Sequence, residues 1–273
     1  LYSLHNAGFG GAYFYVNKPI PALYPDLHRA IEDLGIPLSQ GEPEVPWAKT
    51  YAKAIYELTR STDAYDYFAE YMEGDPAAGV MAGASSAEYA AKYDTLALVS
   101  ELPYFYHPSI DDTTITDVPR SLALAKSVGL QKQMYEFLAP RFARLGDVES
   151  APFGAALRDY VNKTPHRLQA QEAWIQSQKE NDRPATAAEV FDNLVVTRFY
   201  GMLQYGMLAR LGRWCAEQSA TRHQEHLQLA KEVDDALQQI AGELEEKHRY
   251  QVIPIKKLVA AQLASGLYSL AQL

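Results

Sequence analysis

One cysteine, Cys215, stands in 273 residues. A single thiol excludes an internal disulfide framework and any paired-cysteine metal site. Its apolar helical setting reads as a core thiol rather than a reactive one. A reducing compartment fits this usage, so a cytoplasmic site is favoured. No stretch approaches the roughly 18 uninterrupted apolar residues that a membrane span needs, and no signal peptide is visible. The phosphate-binding Gly-x-x-x-x-Gly-Lys loop, the Gly-x-Gly-x-x-Gly turn after a strand and the Gly-x-Ser-x-Gly elbow are all missing. There is no internal repeat and no low-complexity tract.

Positive charge is scarce in the first part of the chain. Residues 1–116 hold 6 Lys and Arg against 16 Asp and Glu, whereas residues 117–273 hold 19 against 18. An acidic front half argues against nucleic-acid and anionic-membrane partners, which need a basic footprint. The shift also marks a boundary near Asp117 and divides the chain into 1–116 and 117–273. At this length either one large or two ordinary domains can bury a core.

What is present in the front part is an alternation of short strands and helices. Leu1–Gly11 is an apolar run that delivers His5 to the end of a strand, followed by a glycine cluster. Ala12–Val16 reads as a second strand. A helix opens at Pro21 and runs to about Leu34, with Leu23, Leu27, Ala30, Ile31 and Leu34 on one face. Residues 46–59 and 63–72 read as helices, and a short helix capped by Ser85 or Ser86 runs to about Lys92. Leu96–Phe105 is a further apolar run that carries Glu101. A lone ionised Glu among apolar residues is costly to bury unless it has a partner or a chemical task. Tyrosine is dense here, with 13 of the 19 in residues 1–116; half-buried tyrosines with hydroxyls reaching water are expected, ahead of a tyrosine-lined peptide groove.

From Asp117 the pattern is helical only. A helix capped by Asp117 is expected to kink at Pro140 and end at Gly146. A second covers 152–178 with an interruption at Pro165. Thr186-Ala187-Ala188-Glu189 is a capping box that opens a third helix, apolar on most faces and so central to a bundle. A fourth covers about 219–246, and a last one follows Pro254. His223, His226, Glu245 and His248 have spacings that can bind metal, but on a polar helix face they read as a solvated stripe.

His5 and Glu101, with their neighbours, carry a family resemblance. Ser3-Leu4-His5-Asn6 is similar to the strand end that holds the third zinc ligand of the zinc carboxypeptidases related to pancreatic carboxypeptidases A and B. Val99-Ser100-Glu101-Leu102 is similar to the strand that holds their catalytic glutamate. Ala82–Tyr89 resembles the small-residue loop and short helix before that strand. The resemblance covers residues 1–108 and implies the carboxyl-terminal part of a catalytic domain: an α/β fold with a partial mixed sheet and flanking helices, followed here by an all-α domain over 117–273. It implies zinc as cofactor, His5 as a metal ligand and Glu101 as general base and acid. It places Asn6, Ser85 and Ser86 at the substrate.

The implied activity is zinc-dependent hydrolysis of a peptide or amide bond at a free carboxyl terminus, on a peptide or acyl-amino-acid substrate. The alternatives are an amidase of the same family acting on a non-protein substrate and a non-catalytic binding or scaffold protein that keeps the fold. Residues 117–273 would then serve as a lid, an inhibitory element or a homo-oligomer surface. Two departures stand out. None of the seven histidines is followed three residues later by Glu, so the family's His-x-x-Glu zinc motif is not in this sequence. The family's substrate-capping tyrosine falls near Gly79, where no Tyr stands.

Overall fold

The computed structural model describes residues 1–80 and 83–272, with the side chains of Ser86 and Ala87 outside the description. Its first elements are β1 (Tyr2–His5), β2 (Tyr13–Val16), α1 (Tyr24–Glu32), β3 (Thr50–Ala52), β4 (Ile55–Glu57), α2 (Ser61–Tyr71), α3 (Ser86–Ala91) and β5 (Leu98–Glu101). The five strands form one mixed sheet in the order β1-β5-β2-β4-β3. β1 runs parallel to β5, β5 antiparallel to β2, and β2 parallel to β4.

The pleat sends successive side chains to opposite faces. On one face Phe14, Val16, Ile55 and Leu98 are buried with Leu27 and Ile31 of α1. Each such side chain contributes about 1.5–3 kcal/mol over its exposed state. On the other face Tyr13, Tyr15 and Tyr56 form a triad with ring centroids 5.7–6.1 Å apart. The sheet therefore has one apolar face and one that is aromatic with polar tips.

The chain continues through β6 (Phe105–Tyr106), β7 (Ile115–Pro119), α4 (Arg120–Ala143), α5 (Gly154–Ser177), β8 (Pro184–Thr186) and α6 (Ala187–Phe191). A π-helical turn, Asp192–Val196, joins α6 to α7 (Thr197–Gln218), and α8 (His223–Lys247), β9 (Gln251–Val252) and α9 (Ile255–Leu270) follow. Met134, Leu138, Leu157, Leu208, Leu229 and Val233 make a second core among α4, α5, α7 and α8. Phe9 enters a third cluster with Phe191 and Val195, just beyond the sheet. α9 returns to the sheet, where Leu258 and Ala261 join the α1 core. The chain is thus mixed α/β, a small mixed sheet with several helices.

Several local expectations give way to tertiary pairing. Residues 46–59, expected as a helix, hold the hairpin of β3 and β4. Thr50, Tyr51, Ile55 and Tyr56 favour a pleated surface, and β2 supplies a partner for β4. Ala54 takes φ +52° in the turn. Asp117 lies in β7, paired with β8, and the helix starts three residues later at Arg120. Pro119 has no N–H to donate, so it closes the strand and opens the helix. α4 and α5 run continuously past Pro140 and Pro165. The Thr186 capping box is present: Glu189 N–H donates to Thr186 Oγ1 at 3.1 Å and Thr186 N–H to Glu189 Oε2 at 2.8 Å.

Candidate functional site

His5 and Glu101 end two adjacent parallel strands and are register partners. The pairing brings His5 Nδ1 to 2.9 Å from Glu101 Oε1. The two side chains sit differently. The imidazole is 55% exposed, whereas the carboxylate is 13% exposed. His5 is further fixed from the carboxyl-terminal helix, since Gln262 Nε2 donates to its carbonyl at 3.1 Å. Strand ends of this kind are where open α/β sheets place ligand sites.

The Glu101 carboxyl is held above the usual carboxylate range. Burial is the main cause and the Glu44 charge adds to it, while the facing His5 imidazole opposes both. Glu44 comes from the loop after α1. It accepts hydrogen bonds from the Tyr13 hydroxyl on one oxygen and from the Tyr15 hydroxyl, at 3.1 Å, on the other. Burial, reinforced by the Glu44 charge, pushes both phenols far above their ordinary range. They remain neutral donors at any working pH.

Of the other residues expected at the substrate, Asn6 stands beside the pair and its Nδ2 donates to the Leu102 carbonyl at 3.3 Å. Ser85 is the N-cap of α3, with its Oγ accepting from Glu88 N–H at 3.1 Å. Glu88 in turn accepts from Ser61 N–H at 3.1 Å. The hydrogen bonds of Ser85 thus stay within the α3 cap, Glu88 ties α3 to α2, and neither reaches the His5–Glu101 pair. Ser86 opens α3, and its side chain lies outside the described residues, as does Ala82 of the expected loop.

A cavity of about 640 Å³ lies between the tyrosine face and the helices, with Tyr13, Glu44, Arg120, Asp192 and Tyr200 among its lining. The sequence pointed to none of these as site residues. The available signal was the Tyr-Phe-Tyr alternation of β2, which puts Tyr13 and Tyr15 on one face. Gly11 borders the same space; a Cβ there would lie 2.4 Å from the Ser39 nitrogen, so only glycine lets these two backbone segments meet.

Arg120, nearly buried, makes a two-toothed ion pair with Glu42, its Nε donating to Oε1 at 2.9 Å, and has Glu189 within 3.7 Å. Such a pair fixes orientation as well as charge. Asp192, at the start of the π-helical turn, accepts from Glu42 N–H at 2.9 Å. Its carboxyl is pushed up to about 7, first by burial and then by the nearby charges of Glu42, Glu189 and Glu44. Asp192 is therefore a group that titrates near neutrality inside a cavity. π turns often mark functional positions.

Among the described residues no group of three or more His, Cys, Asp and Glu could hold a metal ion. The helical histidines do not gather: His223 Nδ1 contacts the Ala216 carbonyl at 2.9 Å, and His248 packs its ring against Phe191 and His107. No described helix is long and apolar enough to cross a membrane. Comparison with family models, with curated proteins and with solved structures finds no match for this chain.

Proposed function

We propose that the chain serves hydrolysis of a peptide or amide bond next to a free carboxylate, in the manner of the zinc carboxypeptidases that it resembles. One observation carries the reading: a half-exposed imidazole and a nearly buried carboxylate meet at 2.9 Å on the ends of two parallel strands.

The chemistry assigns the roles. Glu101, with its pKa raised by burial and by Glu44, is suited to take a proton from the attacking water. It then returns that proton to the leaving nitrogen. Its raised pKa makes the second transfer easier than for an ordinary carboxylate. Asn6, next to His5, would meet the substrate, with Ser85 and Ser86 toward its terminal side chain. The substrate class is a peptide or an acylated amino acid.

A catalytic zinc takes three protein ligands and would supply carbonyl polarisation and an acidified water. The donors described here do not complete such a site, because His5 is one imidazole and no three-donor group surrounds it. His5 is proposed as one ligand of that ion.

The test is hydrolysis of free-carboxyl peptides and of acyl amino acids by the intact protein with zinc supplied. Glu101→Gln is expected to lower kcat by about 10²–10⁴ with bound zinc unchanged, and His5→Ala to lower bound zinc. Wild-type turnover in Glu101→Gln would remove Glu101 from the mechanism. A wild-type protein with neither zinc nor turnover would be a binding or scaffold protein.

A further inference from the structure

Three helices turn partly polar faces toward one another across the cavity. On α5, Tyr160, Thr164, Arg167, Gln171 and Trp174 all line it. Their spacings of three and four residues make them a single helix face. α4 contributes Ser127 and Gln131, and α7 contributes Thr197 and Gln204. The two hydroxyls meet, with Ser127 Oγ 2.9 Å from Thr197 Oγ1. A helix face that looks inward in a bundle is normally apolar. These polar groups stand among apolar lining such as Leu124, Met134 and Leu168, and a mostly apolar space with a few placed polar groups is the construction of a small-molecule site, which typically occupies about 300–1,000 Å³.

Charge decides what the site would take. Of the two arginines in the lining, Arg120 is already matched by Glu42 and Glu189. Arg167 has no ion-pair partner among the described residues; its one hydrogen bond is from Nε to the Gly79 carbonyl at 3.4 Å. Burial holds its guanidinium below the usual range, only partly opposed by the charge of Asp159, which is itself paired with Lys163. A half-buried cation with no carboxylate in contact is costly to keep, and an oxyanion in the cavity would reduce that cost through the planar fork of donors. The surrounding amides and hydroxyls would bond a neutral, hydroxylated remainder. The lining also carries Glu42, Glu44, Glu180 and Asp192, which disfavours a second anionic group on the ligand away from Arg167.

We infer that this cavity is a binding site for a small hydroxylated organic anion whose single oxyanion group, carboxylate or phosphate ester, pairs with Arg167. The site is separate from the His5–Glu101 pair, which does not line the cavity, and the inference does not depend on the hydrolytic reading.

The experiment is thermal unfolding and tryptophan fluorescence of the full chain titrated with gluconate, with glycerol 3-phosphate and with neutral sorbitol, at constant ionic strength. At least one of the two anions should raise the melting temperature and change the fluorescence, in which Trp174 is the reporter. Sorbitol should do so at least tenfold more weakly, and the better anion identifies the oxyanion. Arg167→Gln should weaken the anion at least tenfold, and Arg167→Lys should keep part of the affinity. Without ligand, Arg167→Gln should melt no lower than the parent, because it removes an unpaired charge. The inference is overturned if neither anion shifts the parent, if Arg167→Gln responds like the parent, or if that variant melts lower without ligand, which would make Arg167 structural.

Discussion

Tyr13 stands directly opposite Glu101 in the antiparallel register of β2 and β5. Because opposed residues share a face, this pairing joins the His5–Glu101 pair to the cavity. Tyr13 lines the cavity and also holds Glu44, whose charge helps to raise the Glu101 pKa. Glu44 is therefore the residue through which the two regions interact electrostatically.

Glu44→Gln removes that charge and keeps an acceptor for the tyrosine hydroxyls. Glu101 acts as a base only when ionised, so activity is lost as pH falls through its raised pKa. Without the Glu44 charge that pKa drops. The acidic limb of kcat/KM should move to lower pH, with the plateau rate little changed. A pH profile with an unmoved limb would separate Glu44 from Glu101.

Asp192 gives a prediction for stability. Its pKa is raised from 3.8 to about 7 in the fold, so the folded state binds the proton more tightly than the unfolded state. The stability this contributes is fully present below about pH 4 and is lost as pH rises to about 7. Asp192→Asn should abolish this slope while its amide oxygen still accepts from Glu42 N–H. At pH 8 the variant should be more stable by on the order of 2 kcal/mol, less than full conversion of the shift because the carboxylate borders the cavity. Denaturant midpoints between pH 4 and 8 measure it, and parallel curves for parent and variant would contradict it.

His226 of α8 is 4% exposed, and neither ring nitrogen has a hydrogen-bond partner. A buried polar group left unpaired costs about 1–3 kcal/mol. His226→Leu, next to the core residues Leu229 and Val233, should therefore raise stability by about 1 kcal/mol. The urea midpoint should rise with an unchanged m value; a lower midpoint would show that the imidazole is satisfied in solution.

Gly11→Ala should be costly. The new methyl would meet the Ser39 nitrogen at 2.4 Å and the Leu38 carbonyl carbon at 2.6 Å, and both contacts are backbone. Overpacking of this kind typically costs about 1–3 kcal/mol. The bonds from Ala12 N–H to the Pro37 carbonyl and from Ser39 N–H to the Ala12 carbonyl should exchange with solvent faster in the variant. Protection unchanged at these amides would show that the loop simply shifts.

The sequence by itself determined the elements whose signal is local. The α1 stripe of Leu27 and Ile31, the Thr186–Glu189 capping box and the strands that present His5 and Glu101 all follow from periodicity and from short-range hydrogen bonding. The candidate pair was visible because both residues interrupt apolar runs. The tertiary structure alone decided the rest. Thr50–Glu57 became a hairpin because β2 offered an edge, a partner that local spacing does not reveal. That His5 and Glu101 touch depends on β1 and β5 lying side by side in register, across 96 residues of chain. The cavity depends on α4, α5 and α7 facing inward with stripes that, taken singly, read as ordinary helix surface. A polar stripe has no sign of its own in sequence; burial and the absence of a partner charge give Arg167 and Asp192 their meaning, and both arise only when the helices pack.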